Sequence, residues 1–258
     1  MFKPENKLEE YILKSFNDPS YTPEFFQNLM TSDIYFIIVD ERLNNPAKDF
    51  KEGDKVNILH IEHDGVSWLP IFSSLKWLQE YAKSDCSYSL LNTKDFFAMC
   101  RKANIILNPN FEKSWQFTPE MIEGLLDGSF FKPQRTLSIE KQVDILVKEP
   151  DEYPHNLVKA LSELFKRNKN VKTAYLVQCY FPESNEPEHP LVGIEVDKDY
   201  DKILSEAGLV ASRICGGSTV VDFIQIDLDS ISGVCRYMVE NVKPFFKKRR
   251  SGSLLGQD

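Results

Sequence analysis

The sequence has no uninterrupted apolar segment near the about 20 residues that a membrane-spanning helix needs. Its first residues, Met1 to Glu5, also lack the apolar run of a secretory signal peptide. We therefore expect a cytoplasmic protein without a membrane span. The cysteines agree, because five widely spaced cysteines are typical of reduced thiols rather than of a disulfide framework. They are Cys86, Cys100, Cys179, Cys215 and Cys235.

Positive charge is also scarce. The chain has 31 lysines and arginines against 39 aspartates and glutamates, a formal net charge of −8. General nucleic-acid binding depends on basic surface against phosphates, so we expect none. The local exception is the run Lys247-Lys248-Arg249-Arg250 near the C-terminus. With 42% hydrophobic and 27% charged residues, the composition is that of a globular protein.

Metal-binding motifs are missing as well. His60 and His63 flank Ile61-Glu62, but Asp64-Gly65 follows them between two β-rich runs and predicts a hairpin. Residues three apart on a strand point to opposite faces, and no cysteine or further histidine lies nearby in the sequence. We therefore interpret both histidines as hairpin surface and expect no metal site.

Catalytic motifs are equally absent. Gly216-Gly217-Ser218-Thr219 resembles a phosphate loop, but a strand pattern follows it instead of a helix, which favours a plain turn. No serine or cysteine lies in a nucleophile-elbow pattern. A Cys179–His189 dyad remains an alternative that nothing in the sequence favours. The sequence thus predicts no catalytic residue and no cofactor.

What is present is an alternation of helix and strand patterns in two halves. The first half, residues 1–130, shows amphipathic helices around short strands and the predicted hairpin. Residues 131–141 have weak apolar periodicity and form the best linker candidate. Residues 142–250 predict the order βαββαβα, which is compatible with a ferredoxin-like sheet with helices on one side. Residues 251–258 are predicted to be a flexible tail. The predicted class is α+β, with two domains that each pack helices on a mixed or antiparallel sheet.

Several runs occur in an order that resembles the bacterial enhanced-serine-sensitivity family, SseB, over about residues 5–250. In the first half they are Asn6-Lys7-Leu8-Glu9-Glu10, Pro23-Glu24-Phe25-Phe26-Gln27-Asn28-Leu29 and Pro70-Ile71-Phe72-Ser73-Ser74-Leu75. In the second half they are Leu161-Ser162-Glu163-Leu164-Phe165-Lys166, Leu191-Val192-Gly193-Ile194-Glu195-Val196-Asp197 and Pro244-Phe245-Phe246. Two positions depart from the family pattern, since Asn110 stands where a glycine is frequent and Phe246 where a tyrosine is usual.

The resemblance implies an N-terminal and a C-terminal SseB domain in an intracellular bacterial protein linked to serine sensitivity. It brings no family active site. Our leading hypothesis is a non-enzymatic accessory or protein-interaction module that acts on another protein in serine or sulfur amino-acid metabolism. One alternative is an amino-acid sensor, although the first β–α turn of the second half, Lys148 to Pro154, is acidic and lacks the glycine usual in such sensors. A second alternative is an unrecognised enzyme.

The C-terminus supplies the candidate site residues. Pro244, Phe245 and Phe246 are predicted to be a structural anchor, because two adjacent phenylalanines are costly to leave exposed. Lys247, Lys248, Arg249 and Arg250 then follow in an acidic chain. They are either a solvated tail or a docking element for an acidic partner surface.

Overall fold

The structure, a computed structural model, describes residues 3–39, 57–63, 65–131, 145–182, 187–216 and 219–248. The chain folds into two compact units, Met1–Phe131 and Lys132–Asp258. Most of the predicted linker, residues 132–141, and the predicted tail, residues 251–258, lie outside the described residues. The α+β class in two domains is confirmed, since each unit has one mixed sheet packed with helices.

The N-terminal unit has a sheet in the order β4-β1-β3-β5-β6, with β2 paired to β3. Its strands are β1 (Asp33–Ile38), β2 (Ile61–His63), β3 (Val66–Phe72), β4 (Ser87–Asn92), β5 (Asn104–Leu107) and β6 (Trp115–Phe117). Its helices are α1 (Lys7–Asn17), α2 (Thr22–Leu29), α3 (Leu75–Ala82), α4 (Thr93–Met99) and α5 (Pro119–Asp127), with 3-10 turns at Pro19–Tyr21 and Ser129–Phe131. Strands β3 and β5 are parallel neighbours, and the other pairs are antiparallel.

The predicted hairpin is confirmed, because Glu62 pairs with Ser67 and His63 with Val66 across the turn. Gly65 has φ +73°, the left-handed conformation that glycine accepts without strain. Two cores flank the sheet. The larger one buries the apolar faces of α1, α2, α4 and α5, and the smaller one lies under α3.

The C-terminal unit has strands β7 (Leu146–Lys148), β8 (Val171–Tyr180), β9 (His189–Val196), β10 (Asp222–Ile226) and β11 (Phe246–Lys247). Its helices are α6 (His155–Arg167), α7 (Tyr200–Cys215) and α8 (Gly233–Asn241). The predicted βαββαβα order is therefore present, with β11 added at the end. The sheet order is β10-β9-β8-β11, and β7 also pairs with β8.

The prediction of a ferredoxin-like sheet in the C-terminal unit is wrong. A ferredoxin-like arrangement would place the first strand, β7, in the interior of the sheet. In the structure β7 pairs antiparallel with β8, on the side of β8 away from β9, and β9 and β10 are parallel neighbours. A central strand covered on both faces needs a near-continuous apolar run. Strand β7 has only three residues, none of them buried, so it is suited to an edge.

Helices also cover both faces of this sheet, not one. Helices α6 and α7 pack on the face that carries Ala174 and Leu176, while α8 packs on the face that carries Tyr175 and Val177. The approach of α8 requires a glycine in β9. A Cβ atom on Gly193 would lie 2.5 Å from the sulfur of Met238, a distance that the packing could not accommodate without a shift.

Candidate functional site

The C-terminal segment returns to the sheet of its own unit. Phe246 is buried and pairs with Ala174 of β8. Its ring meets the ring of Phe165 edge-on at 5.7 Å, and the ring of the half-buried Phe245 stacks at 6.3 Å from the same Phe165. The backbone N–H of Phe245 donates to the carbonyl of Ala174 at 3.0 Å. Residues 244–246 therefore fix where the following cations lie.

Lys248 binds the end of helix α6. Its Nζ donates to the carbonyl of Asn168 at 2.7 Å and approaches the carbonyl of Lys166 at 3.5 Å. The last carbonyls of a helix have no intrahelical donor, and the helix dipole favours a cation there. One of the four predicted docking cations thus has a structural contact, and Lys247 is exposed beside it. Arg249 and Arg250 lie outside the described residues.

This contact gathers cations that are about a third of the chain apart. We call the group the α6–β11 basic surface; it comprises Lys166, Arg167, Lys169, Lys172, Lys247 and Lys248. Of these, Lys247 pairs with Thr173 and therefore projects on the other face of the β11 edge, the face that α8 covers. Glu163 and Asp197 lie at its border and form exposed ion pairs with Lys166 and Lys172, both at 2.6 Å. Exposed pairs of this kind contribute about 0–1 kcal/mol to stability. In a chain of net charge −8, this surface is locally basic.

A second group, buried in the same unit, consists of Cys179, His189 and Asp222, at 1%, 3% and 0% exposure. Strand register brings them together. Cys179 of β8 lies directly opposite His189 of β9, and Asp222 of β10 pairs with Leu191, two residues further along β9. The sulfur, a ring nitrogen and a carboxylate oxygen all lie within 4.8 Å of one another.

The histidine of this group is engaged at both ring nitrogens. Nδ1 lies 2.9 Å from the carbonyl of Pro187, which can only accept, and Nε2 lies 2.9 Å from Oδ2 of Asp222. The ring of Phe181 stacks on the imidazole at 5.7 Å. In this arrangement neither nitrogen is available to take the proton of the Cys179 thiol, as a cysteine–histidine dyad would require.

The His189–Asp222 contact, at 2.9 Å, has the length of a hydrogen bond. The other carboxylate oxygen of Asp222 is buried and has no hydrogen-bond partner among the described residues. The group is therefore best described as a buried His–Asp pair that ties β9 to β10.

Burial also changes the pKa of the other four cysteine thiols. It raises the pKa of the thiols of Cys100, Cys215 and Cys235, and burial with the nearby Asp85 raises that of Cys86. A raised thiol pKa leaves less thiolate, which is the nucleophilic form.

A third group lies in the N-terminal unit, at the carboxyl ends of the parallel strands β3 and β5. The hydroxyl of Ser73 donates to the buried carboxylate of Glu9 at 2.9 Å, and its backbone N–H donates to Oδ1 of Asn108 at 2.9 Å. The Asn108 amide returns a bond to the Ser73 hydroxyl at 2.8 Å. The backbone N–H of Glu5 satisfies the second oxygen of Glu9 at 2.8 Å. These polar groups satisfy one another and fix α1 to the sheet.

Replacing Asn108 by alanine is expected to lower the free energy of unfolding of the N-terminal unit by about 2–4 kcal/mol. The change leaves the buried N–H of Ser73 without its acceptor and places an alanine at φ +52°. Asn108→Gly is the matched control, because it loses the same bonds without the backbone strain and should be about 1 kcal/mol less destabilised. Urea unfolding of both variants measures the difference, and equal losses would refute the strain argument.

The remaining sequence candidates lie apart from these groups. His60 precedes β2, is exposed and has its Nδ1 3.2 Å from the hydroxyl of Ser67, while the side chain of His63 lies outside the described residues. Gly216 ends α7 in the left-handed conformation, as a turn glycine does, and Gly217 and Ser218 are outside the described residues. None of the described helices is long and apolar enough to cross a membrane.

Comparison with known proteins covers both units. Residues 9–124 match the SseB protein N-terminal domain, and residues 139–248 match the SseB protein C-terminal domain. Protein SseB of Escherichia coli K12 and Protein SseB of Shigella flexneri are each 27% identical to the chain, over 98% of this chain and 96% of theirs. No solved structure matches significantly. With both domains matched in order, the chain belongs to the SseB family.

Proposed function

We propose that the chain is a non-enzymatic accessory protein that binds an acidic surface of another protein through the α6–β11 basic surface. One observation carries the proposal: Lys248 bonds to the carbonyl of Asn168 and so brings two separate basic segments together. Charge complementarity of this kind steers association and selects partners. We further propose that the bound partner acts in serine or sulfur amino-acid metabolism, on the strength of the family resemblance alone.

The hydrogen bonds that hold β11 to the sheet support a binding role for this surface. Lys247 follows the buried ring of Phe246, and the backbone N–H of Lys248 donates to the carbonyl of Lys172 at 2.7 Å. The cations on β11 therefore project from a hydrogen-bonded strand and not from a loose tail. A surface that is ordered before binding loses less entropy when the partner arrives.

The alternatives have weaker support. The first β–α turn of the C-terminal unit, where an amino-acid sensor would hold its ligand, is tied by Lys148, whose Nζ lies 2.8 Å from both Asp151 and Glu188. The enzyme alternative has its best residues in the buried group, where His189 bonds to Pro187 and Asp222 instead of activating Cys179.

Reversing two cations of this surface is expected to weaken partner capture. In Lys169→Glu/Lys247→Glu, recovery of the partner by the tagged protein from its own host at low salt should fall on the order of ten-fold. The melting temperature should be unchanged because both side chains are exposed. Lys248 is left intact because of its structural contact.

The matched control is Lys7→Glu/Lys102→Glu, which changes net charge equally on exposed residues of the N-terminal unit and should leave capture unchanged. Raising the salt towards 1 M should weaken wild-type capture, since the screening length then falls to about 3 Å. Equal recovery by both double variants at low salt would refute docking at this surface. If deletion of the gene changes the response of growth to serine, the wild-type gene and the control should restore that response, and the Lys169/Lys247 variant should not.

A further inference from the structure

Strand β4, Ser87–Asn92, is an open edge of the N-terminal sheet. It pairs along its length with β1, from Asp33↔Asn92 to Ile38↔Ser87, and it is the last strand in the sheet order. Across the part of the chain that the structure describes, no strand pairs with its other side. Its outward N–H and C=O groups are therefore in position to receive another strand.

This edge has none of the features that usually protect an edge strand. Its sequence, SYSLLN, has no charge, no proline and no glycine, although the chain as a whole is strongly charged. Tyr88 and Leu90 are large and 46% and 48% exposed. They lie on one face of the sheet, because they pair with Ile37 and Tyr35, whose side chains contribute to the core under α3. The rings of Tyr35 and Tyr88 are 6.0 Å apart.

We propose that β4 pairs antiparallel with β4 of a second copy of this chain, centred on Ser89. In that register Tyr88 lies opposite Leu90 of the second copy, and Leu90 lies opposite its Tyr88. Both contacts fall on the same face, as residues directly opposite in an antiparallel pair must. The result is an apolar cluster of four side chains on the face of Tyr35.

The residues of β4 favour the register centred on Ser89 and favour a second copy of this chain as the partner. If the pair were centred on Leu90, Tyr88 would lie opposite Asn92 of the second copy, and an amide would be buried against an aromatic ring. If it were centred between Ser89 and Leu90, these two residues would lie opposite each other although their side chains point to different faces of the sheet. Two copies of a chain of net charge −8 repel each other, yet an uncharged edge adds no like-charge contact at the interface. Pairing of identical edges also closes the assembly at two copies.

Sedimentation velocity of the full chain over a range of concentrations tests this pairing. The wild-type chain should shift from monomer to dimer as concentration rises. Leu90→Lys should raise the dimer dissociation constant at least ten-fold, because the second copy would bring a like charge close to the new lysine. At concentrations where both proteins are monomeric the melting temperature should be unchanged, because the side chain of Leu90 is half exposed. Leu228→Lys is the matched control, an equally exposed leucine outside the sheet edge, and should dimerise as the wild type does.

Ser89→Cys gives an independent readout, because residues on the two-fold axis face their own copy. Mild oxidation should link this variant into a covalent dimer much faster than the wild-type chain with its five cysteines. A wild-type chain that stays monomeric at all concentrations would overturn the proposal, as would a dimer unaffected by Leu90→Lys. Capture of a different protein that depends on Leu90, with no dimer, would also overturn it and assign the edge to another partner.

Discussion

Replacing Asp222 by alanine is expected to lower the free energy of unfolding of the C-terminal unit by about 3–5 kcal/mol. The change removes one partner of a fully buried pair and leaves Nε2 of His189 without its acceptor, away from water. Chemical denaturation followed by circular dichroism measures the loss. Asp229→Ala, an exposed aspartate in the turn after β10, is the matched control and should change stability by less than about 0.5 kcal/mol.

The double variant His189→Leu/Asp222→Leu separates pairing from packing. Replacing both members of a buried pair by apolar side chains leaves no unpaired polar group, so the double variant should lose less stability than Asp222→Ala alone. A loss in the double variant that equals or exceeds the loss in Asp222→Ala would contradict the pairing. A stoichiometric metal ion in the wild-type protein, released by a chelator with loss of stability, would instead show that the group is a metal site.

Replacing Phe246 by alanine is expected to cost about 3–5 kcal/mol, because the change opens a cavity against Phe165 and Ala174. The adjacent Phe245→Ala is the matched control. Its ring is only half-buried and should cost about half as much. The sequence pattern singles out both rings equally, and the structure assigns the larger role to Phe246. Equal losses for the two variants would contradict that assignment.

Phe246→Ala should affect binding as well as stability. If the ring of Phe246 fixes the cations that follow it, Phe246→Ala should also reduce partner capture at temperatures where the C-terminal unit is still folded. Phe245→Ala should reduce capture less.

Long periodic elements could be predicted from the sequence. Helix α6 buries Leu157, Leu161 and Leu164, which have helical spacing in the sequence. The hairpin was predictable because Asp-Gly specifies its turn. These signals are local, so they do not depend on which element packs against which.

The apolar strand pattern in the sequence covers Leu191–Val196, whereas β9 begins two residues earlier, at His189; the reason is the proline at position 190. Proline cannot donate to a sheet, so Pro190 favours a loop in any local interpretation. In the structure β10 starts opposite Leu191, so β9 has a neighbour on one side only at Pro190. Proline is tolerated there, and the strand extends to His189.

Groups of residues that strand register or a contact between distant segments brings together could not be predicted from the sequence. The Cys179–His189 pairing depends on the alignment of β8 and β9, which the long connection between them does not specify. Strand β11 is two residues long, too short for any periodicity. The sequence shows the run that begins at Lys247 but not that Lys248 of this run contacts the end of α6, since that link is made by one side chain.

Site-specific photo-crosslinking tests docking at the α6–β11 basic surface most directly. A photoreactive residue is placed at position 169, at position 247 or, as the control, at position 102 of the N-terminal unit, and each protein is irradiated in its host. We expect positions 169 and 247, which are far apart in sequence, to give the same crosslinked protein. We also expect that this protein presents an acidic surface and that position 102 does not give it. Different products from 169 and 247, or the same product from all three positions, would contradict docking at this surface.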